Sequence, residues 1–186
     1  MMPSGEPSFL LACLHLPSPL HFETEADRAS NAACTIRLIA EEEGKVGHRR
    51  TLVMGDFNMN PFESGMVGTM GFHAVLDRRI AEKCSRKVQG RDHSFFYNPM
   101  WRFMNDTQAA ACGSHYYAKS KPVCHFWNTF DQVLLRPALL PAFADTELSL
   151  IDSIGGKSLL DAKGRPNKLR SSDHLPVLLT LDLQKL

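Results

Sequence analysis

The sequence lacks any apolar run long enough to cross a bilayer. Its longest early run, Phe9 to Leu16, stops at Pro17, well short of the roughly 20 residues a spanning helix needs. No basic segment precedes that run, so a secretory leader is not expected. A CxxC pair is also missing. The five cysteines, Cys13, Cys34, Cys84, Cys112 and Cys124, are odd in number and scattered, which argues against a disulfide framework or a thiolate zinc site and for a cytoplasmic protein most of whose thiols are small core residues. Net charge is nearly absent, with 21 Lys+Arg against 20 Asp+Glu, so no global field draws the chain to nucleic acid or anionic lipid, and tight binding of duplex DNA is not favoured. Internal repeats, low-complexity tracts and Gly/Ser linkers do not occur either.

What is present suits one globular domain over residues 1–186. Hydrophobic residues make up 44% and charged residues 22% of the chain, ordinary values for a folded protein. A chain of this length buries roughly 70% of its unfolded surface. Ser8 to His15 reads as a buried strand ended by Pro17. A helix follows from about Glu23 to Glu43, with Ala29, Ala33, Ile36 and Ala40 on its apolar stripe and Gly44 as its C-cap. Thr51 to Met54 is a second short buried strand, broken by Gly55. Asp131 to Leu135 is another strand, stopped by Arg136-Pro137, with further strands expected at Glu147 to Ile151 and Pro176 to Leu183. Between Asn60 and Asn128, Gly, Pro, Asn and aromatic residues predict short helices and long loops. The pattern is α+β, with layered sheets and helices outside.

Polar clusters sit at the ends of these strands, where a rigid scaffold presents side chains to a substrate. His15 closes the first strand in LHLPSP. Asp56 and Asn58 follow the second in LVMGDFNMNP, and Asp173 and His174 precede the last in SSDHLPV. Singly, each also fits a turn or a solvated loop. Together they supply carboxylates, imidazoles and a carboxamide, a set suited to acid–base and metal-assisted hydrolysis.

In this order, LHLPSP, LVMGDFNMNP, FDQVLLRP and SSDHLPVLLTL resemble the endonuclease/exonuclease/phosphatase superfamily, the DNase-I-like fold, from about Phe9 to Leu183. The resemblance implies a layered αββα sandwich of two packed mixed sheets flanked by helices. It implies a divalent-metal-dependent phosphoester hydrolase, a nuclease, phosphodiesterase or phosphatase, using Mg²⁺ or Mn²⁺. Asp56 would orient or deprotonate the attacking water, and Asn58 would hydrogen-bond that water or the scissile phosphate. His174, paired with Asp131, would contact a non-bridging oxygen. Asp173 would lie near the metal, and His15 would be a second histidine able to act as general acid. The superfamily's metal-binding Glu belongs to a strand before the one at Ser8, and seven residues precede Ser8 here; Glu6 is not in the right place for it. The domain is therefore expected to be N-terminally incomplete, with a remnant that binds phosphorylated ligands, nucleic acid or a protein partner as the alternative to an enzyme.

Two further features bear on substrate. Lys157, Lys163, Arg165, Lys168 and Arg170 form a basic stretch just before Ser171. Lys168 and Arg170 are the candidates to hold a phosphate near His174, although a solvated loop explains them too. Trp127, just before Asp131, is a candidate pocket wall or a core residue.

Overall fold

In this computed structural model the described residues are 8–18, 24–104, 110–118 and 122–186; Glu6 and Glu23 lie outside them. The elements run β1 (Leu10–His15), α1 (Glu25–Val46), β2 (Thr51–Asp56), α2 (Ser64–Val67), β3 (Ala74–Val75), α3 (Arg78–Ala81), β4 (Ser85–Val88), β5 (Arg91–Ser94) and β6 (Phe96–Tyr97). They continue with β7 (His115–Tyr117), β8 (Phe126–Asn128), β9 (Asp131–Leu135), β10 (Leu148–Leu150), β11 (Ser153–Ile154), β12 (Lys157–Ser158) and β13 (Val177–Leu179), with 3₁₀ turns between several of them. The protein is mixed α+β. Among the described residues no helix is long and apolar enough to cross a membrane.

The main sheet has the order β1-β2-β9-β6-β3. β1 and β2 are parallel, joined through α1, whereas β9 runs antiparallel to both β2 and β6. The central strands are apolar on both sides because both sides are covered. Val53 and Leu134 pack with Ala32 and Ile39 of α1, Phe57, Phe72 and Phe96. Leu52, Val133 and Leu135 point the other way and pack with Leu148 of β10, with Val177 and Leu179 of β13 partly buried against them. The layers are thus α1, the five-stranded sheet, and the small β10–β13 sheet.

Several local expectations are corrected. α1 starts with Thr24 as N-cap, whose hydroxyl accepts from the Asp27 N–H, and passes through Gly44 to Val46. The cap is Gly47, because it is the residue that adopts a left-handed φ of 72° and returns its N–H to the Glu43 carbonyl. The buried stripe is Ala32, Ile39 and Glu43, with Ala29, Ala33 and Ile36 half-buried and Ala40 exposed. A long-range ion pair sets this rotation: Arg136 donates to both Glu43 carboxylate oxygens, at 2.8 and 3.2 Å. β2 does not break at Gly55 but carries on to Asp56. Among the described residues β1 is an edge strand, half-covered rather than buried, and its Leu11, Cys13 and His15 are exposed. No cysteine belongs to the core: Cys13, Cys34 and Cys84 are exposed, and Cys112 and Cys124 partly so. Glu147 to Ile151 and Pro176 to Leu183 each shorten to three-residue strands.

Candidate functional site

Strand register assembles the first part of the site. His15 is opposite Asp56 in the β1–β2 pair, and Asp56 is opposite Asp131 in the β2–β9 pair. Three polar residues far apart in sequence therefore share one end of the sheet. The GDFN turn is fastened there from several directions. Leu16 N–H donates to the Asp56 carbonyl at 2.8 Å, and Phe57 N–H to that of Phe130 at 2.8 Å. Phe57 itself is fully buried. Asn58 takes a left-handed φ of 50°, a conformation Asn tolerates better than most residues. Its backbone N–H donates to Asp56 Oδ1 at 2.8 Å, and its side-chain amide donates to the Leu16 carbonyl at 2.8 Å and to Asp56 Oδ2 at 3.2 Å. Asn58 thus holds the aspartate with its backbone N–H and its side-chain amide, and the same amide ties the turn to Leu16.

His174 arrives from the loop before β13. Its Nδ1 donates to Asp131 Oδ2 at 2.6 Å, so Nε2 is the ring nitrogen left over from this bond. The loop is pinned on each side of the histidine. Ser172 Oγ accepts from the His174 N–H at 3.0 Å, and Leu175, buried, donates its N–H to the Ser114 carbonyl at 2.8 Å. Ser114 Oγ also accepts from the Asp131 N–H at 3.0 Å.

These surroundings move proton affinities. Burial raises the Asp56 pKa above its ordinary carboxylate value, and the Asp131 charge pushes the same way, against the Asn58 N–H and the two histidines. Burial acts to lower His174, but the Asp131 hydrogen bond and charge, with Asp56 and Asp173 adding, more than offset it and raise its pKa above 6.5. A carboxyl readier to take a proton thus stands beside an imidazole readier to keep one.

Asp56, Asp131 and His174 place one donor atom each within 4.8 Å of one another. Two carboxylates offering oxygen suit a hard divalent cation, which commonly takes one or two protein carboxylates plus water and phosphate. Asp173, the residue expected near a metal, is exposed and stands outside this group. His15 is brought to the rim, with Nε2 3.8 Å from Asp56 Oδ2 and its side chain 80% exposed. Trp127 is half-buried on β8, edge-on to Tyr116 at 5.4 Å. Lys168 and Arg170 are exposed in the loop leading to His174, and Arg165 of that loop lies over Tyr116 at 5.3 Å. Ser114, His115 and Ser172 support the site but were not among the expected residues; Ser172 lies in the SSDH turn beside His174, whereas the partners of Ser114 and His115 lie in other segments and no local motif marks those two.

No protein-family model, curated protein or solved structure matches this chain. Its chemistry is therefore read from the geometry above.

Proposed function

We propose that the protein is a divalent-metal-dependent hydrolase of phosphoester bonds, of the DNase-I-like endonuclease/exonuclease/phosphatase type. The observation that carries this reading is the Asp131–His174 bond of 2.6 Å set beside Asp56. The helix-on-sheet-on-sheet layering is compatible with that fold.

In this reading Asp56 is the base that orients the attacking water and accepts its proton. Asn58 holds Asp56 in place, because its own amide hydrogens are already engaged. His174, fixed by Asp131, donates from Nε2 to a non-bridging phosphate oxygen and stabilises the charge that develops there. His15, exposed at the rim, is placed to protonate a leaving oxygen. Mg²⁺ or Mn²⁺ held by Asp56 and Asp131 would neutralise phosphate charge. Lys168, Arg170 and Trp127 would line the approach of the substrate, a phosphodiester of nucleic acid or of a smaller molecule.

The test is hydrolysis of bis-p-nitrophenyl phosphate with Mg²⁺ or Mn²⁺ titrated against a chelator. Turnover that needs millimolar-scale metal supports the reading, since the carboxylate set is small. Undiminished turnover in excess chelator contradicts it.

A further inference from the structure

The β7–β8 hairpin brings a second imidazole against the first. His115 forms an isolated antiparallel bridge with His174. Its Nδ1 lies 2.9 Å from the carbonyl oxygen of Asp173. A carbonyl oxygen only accepts, so His115 carries a proton on Nδ1. Its ring lies 4.4 Å from the His174 ring at an angle of 39°. Phe130 stacks on the His115 ring at 5.6 Å and 23°, which restricts its rotation. Next to it, Ser114 holds the backbone N–H of Asp131 and accepts from Leu175. One dipeptide therefore grips both members of the Asp131–His174 pair, the aspartate by its backbone and the histidine by the turn that carries it.

We propose that His115 is a positioning residue for His174: its Nδ1–H to the Asp173 carbonyl, with its ring against the His174 ring, fixes the imidazole in line with Asp131. This rests on the reading that His174 acts on phosphate. The donor matters because the Asp173 side chain is exposed, so the carbonyl bond to His115 is the side-chain tie that holds this peptide from the hairpin. A misplacement of about 1 Å at such a group costs on the order of 10²-fold in rate.

The experiment compares His115→Ala, His115→Asn and His115→Phe in the full chain. Asn offers an amide N–H near the place of Nδ1, whereas Phe keeps a ring and loses the donor. Two readouts are taken: the low-field ¹H resonance of the His174–Asp131 hydrogen bond, without metal or substrate, and kcat and KM on bis-p-nitrophenyl phosphate with Mn²⁺. His115→Ala is expected to broaden or lose the low-field line and to lower kcat by about tenfold or more, with KM changed less than about twofold. His115→Asn restores kcat to within about threefold of the parent, and His115→Phe does not. An Ala variant that keeps both the line and kcat overturns the proposal. If His115→Ala does not fold, equal kcat in the Asn and Phe variants overturns it equally well. If the parent itself shows no turnover, the phosphate reading fails while the resonance still decides the positioning role: its loss in the Ala variant supports that role, and its persistence contradicts it.

Discussion

The carbonyl oxygen of Leu14 lies where a Cβ on Gly55 would have to go, 1.9 Å from its ideal position. Gly55 also has a φ of +136°, which other residues rarely adopt. The glycine before Asp56 thus lets β1 close on β2 at the rim, and that closure brings His15 beside Asp56. Gly55→Ala should cost more than about 1 kcal/mol in urea unfolding. It should also lower kcat by up to about 10²-fold, as Asp56 is displaced. A variant as stable and active as the parent would show that the close approach is dispensable.

The buried pair between α1 and the end of β9 supplies the next prediction. Glu43 and Arg136 have side chains only 3% and 5% exposed. Thr51 Oγ1 donates to the same Glu43 oxygen at 2.8 Å, and the guanidinium lies 3.9 Å from the Phe96 ring centroid. Glu43→Ala leaves a buried guanidinium without its anion and should destabilise by about 3–5 kcal/mol. Adding Arg136→Met should recover much of that loss, because the orphaned charge goes with it. No recovery in denaturant melts of the double variant would contradict this account of the pair.

The pH dependence follows from two raised proton affinities. Asp56 must be unprotonated to accept a proton, and His174 must be protonated to stabilise phosphate. In the metal-free protein, titration followed by NMR should place the Asp56 pKa above 3.8 and the His174 pKa above 6.5. Asp131→Asn removes the charge that raises His174 and one charge that raises Asp56, so both titrations should shift to lower pH. Stability carries the same sign for His174. The pair contributes fully below the unfolded histidine value of 6.5, and the contribution is lost as pH rises through the raised folded value. A His174 titration unmoved in Asp131→Asn would contradict this account of the pair.

How far the sequence made this legible depends on the range of each cause. Asp131 to Leu135 was readable as a strand because an apolar run ends abruptly at Arg136-Pro137, a local signal. The rim residues were readable because polar groups interrupt apolar strands at their ends. Gly47, rather than Gly44, caps α1 because of where the chain must leave the helix, which periodicity does not encode. The burial of Glu43 depends on Arg136, 93 residues away. Cys13 was expected inside because its strand is apolar, yet only the face of β1 that carries Ala12 and Leu14 is covered, which leaves the alternate residues in solvent. The role of His115 depends on a contact 58 residues distant in sequence, and only the register of the β7–β8 hairpin makes it visible.

The central claim is that His174, held by Asp131, stabilises phosphate charge while His15 serves the leaving group. The direct measurement is hydrolysis of an activated aryl phosphodiester and of an unactivated alkyl phosphodiester by His174→Ala and His15→Ala, each checked for native fold by circular dichroism. His174→Ala should lower turnover of both esters by roughly 10²-fold or more. His15→Ala should spare the aryl ester, whose phenolate leaves unaided, and slow the alkyl ester, whose alkoxide needs a proton. Equal losses on the two esters for His15→Ala would remove its general-acid role. A folded His174→Ala variant as active as the parent on both esters would contradict the account at its centre.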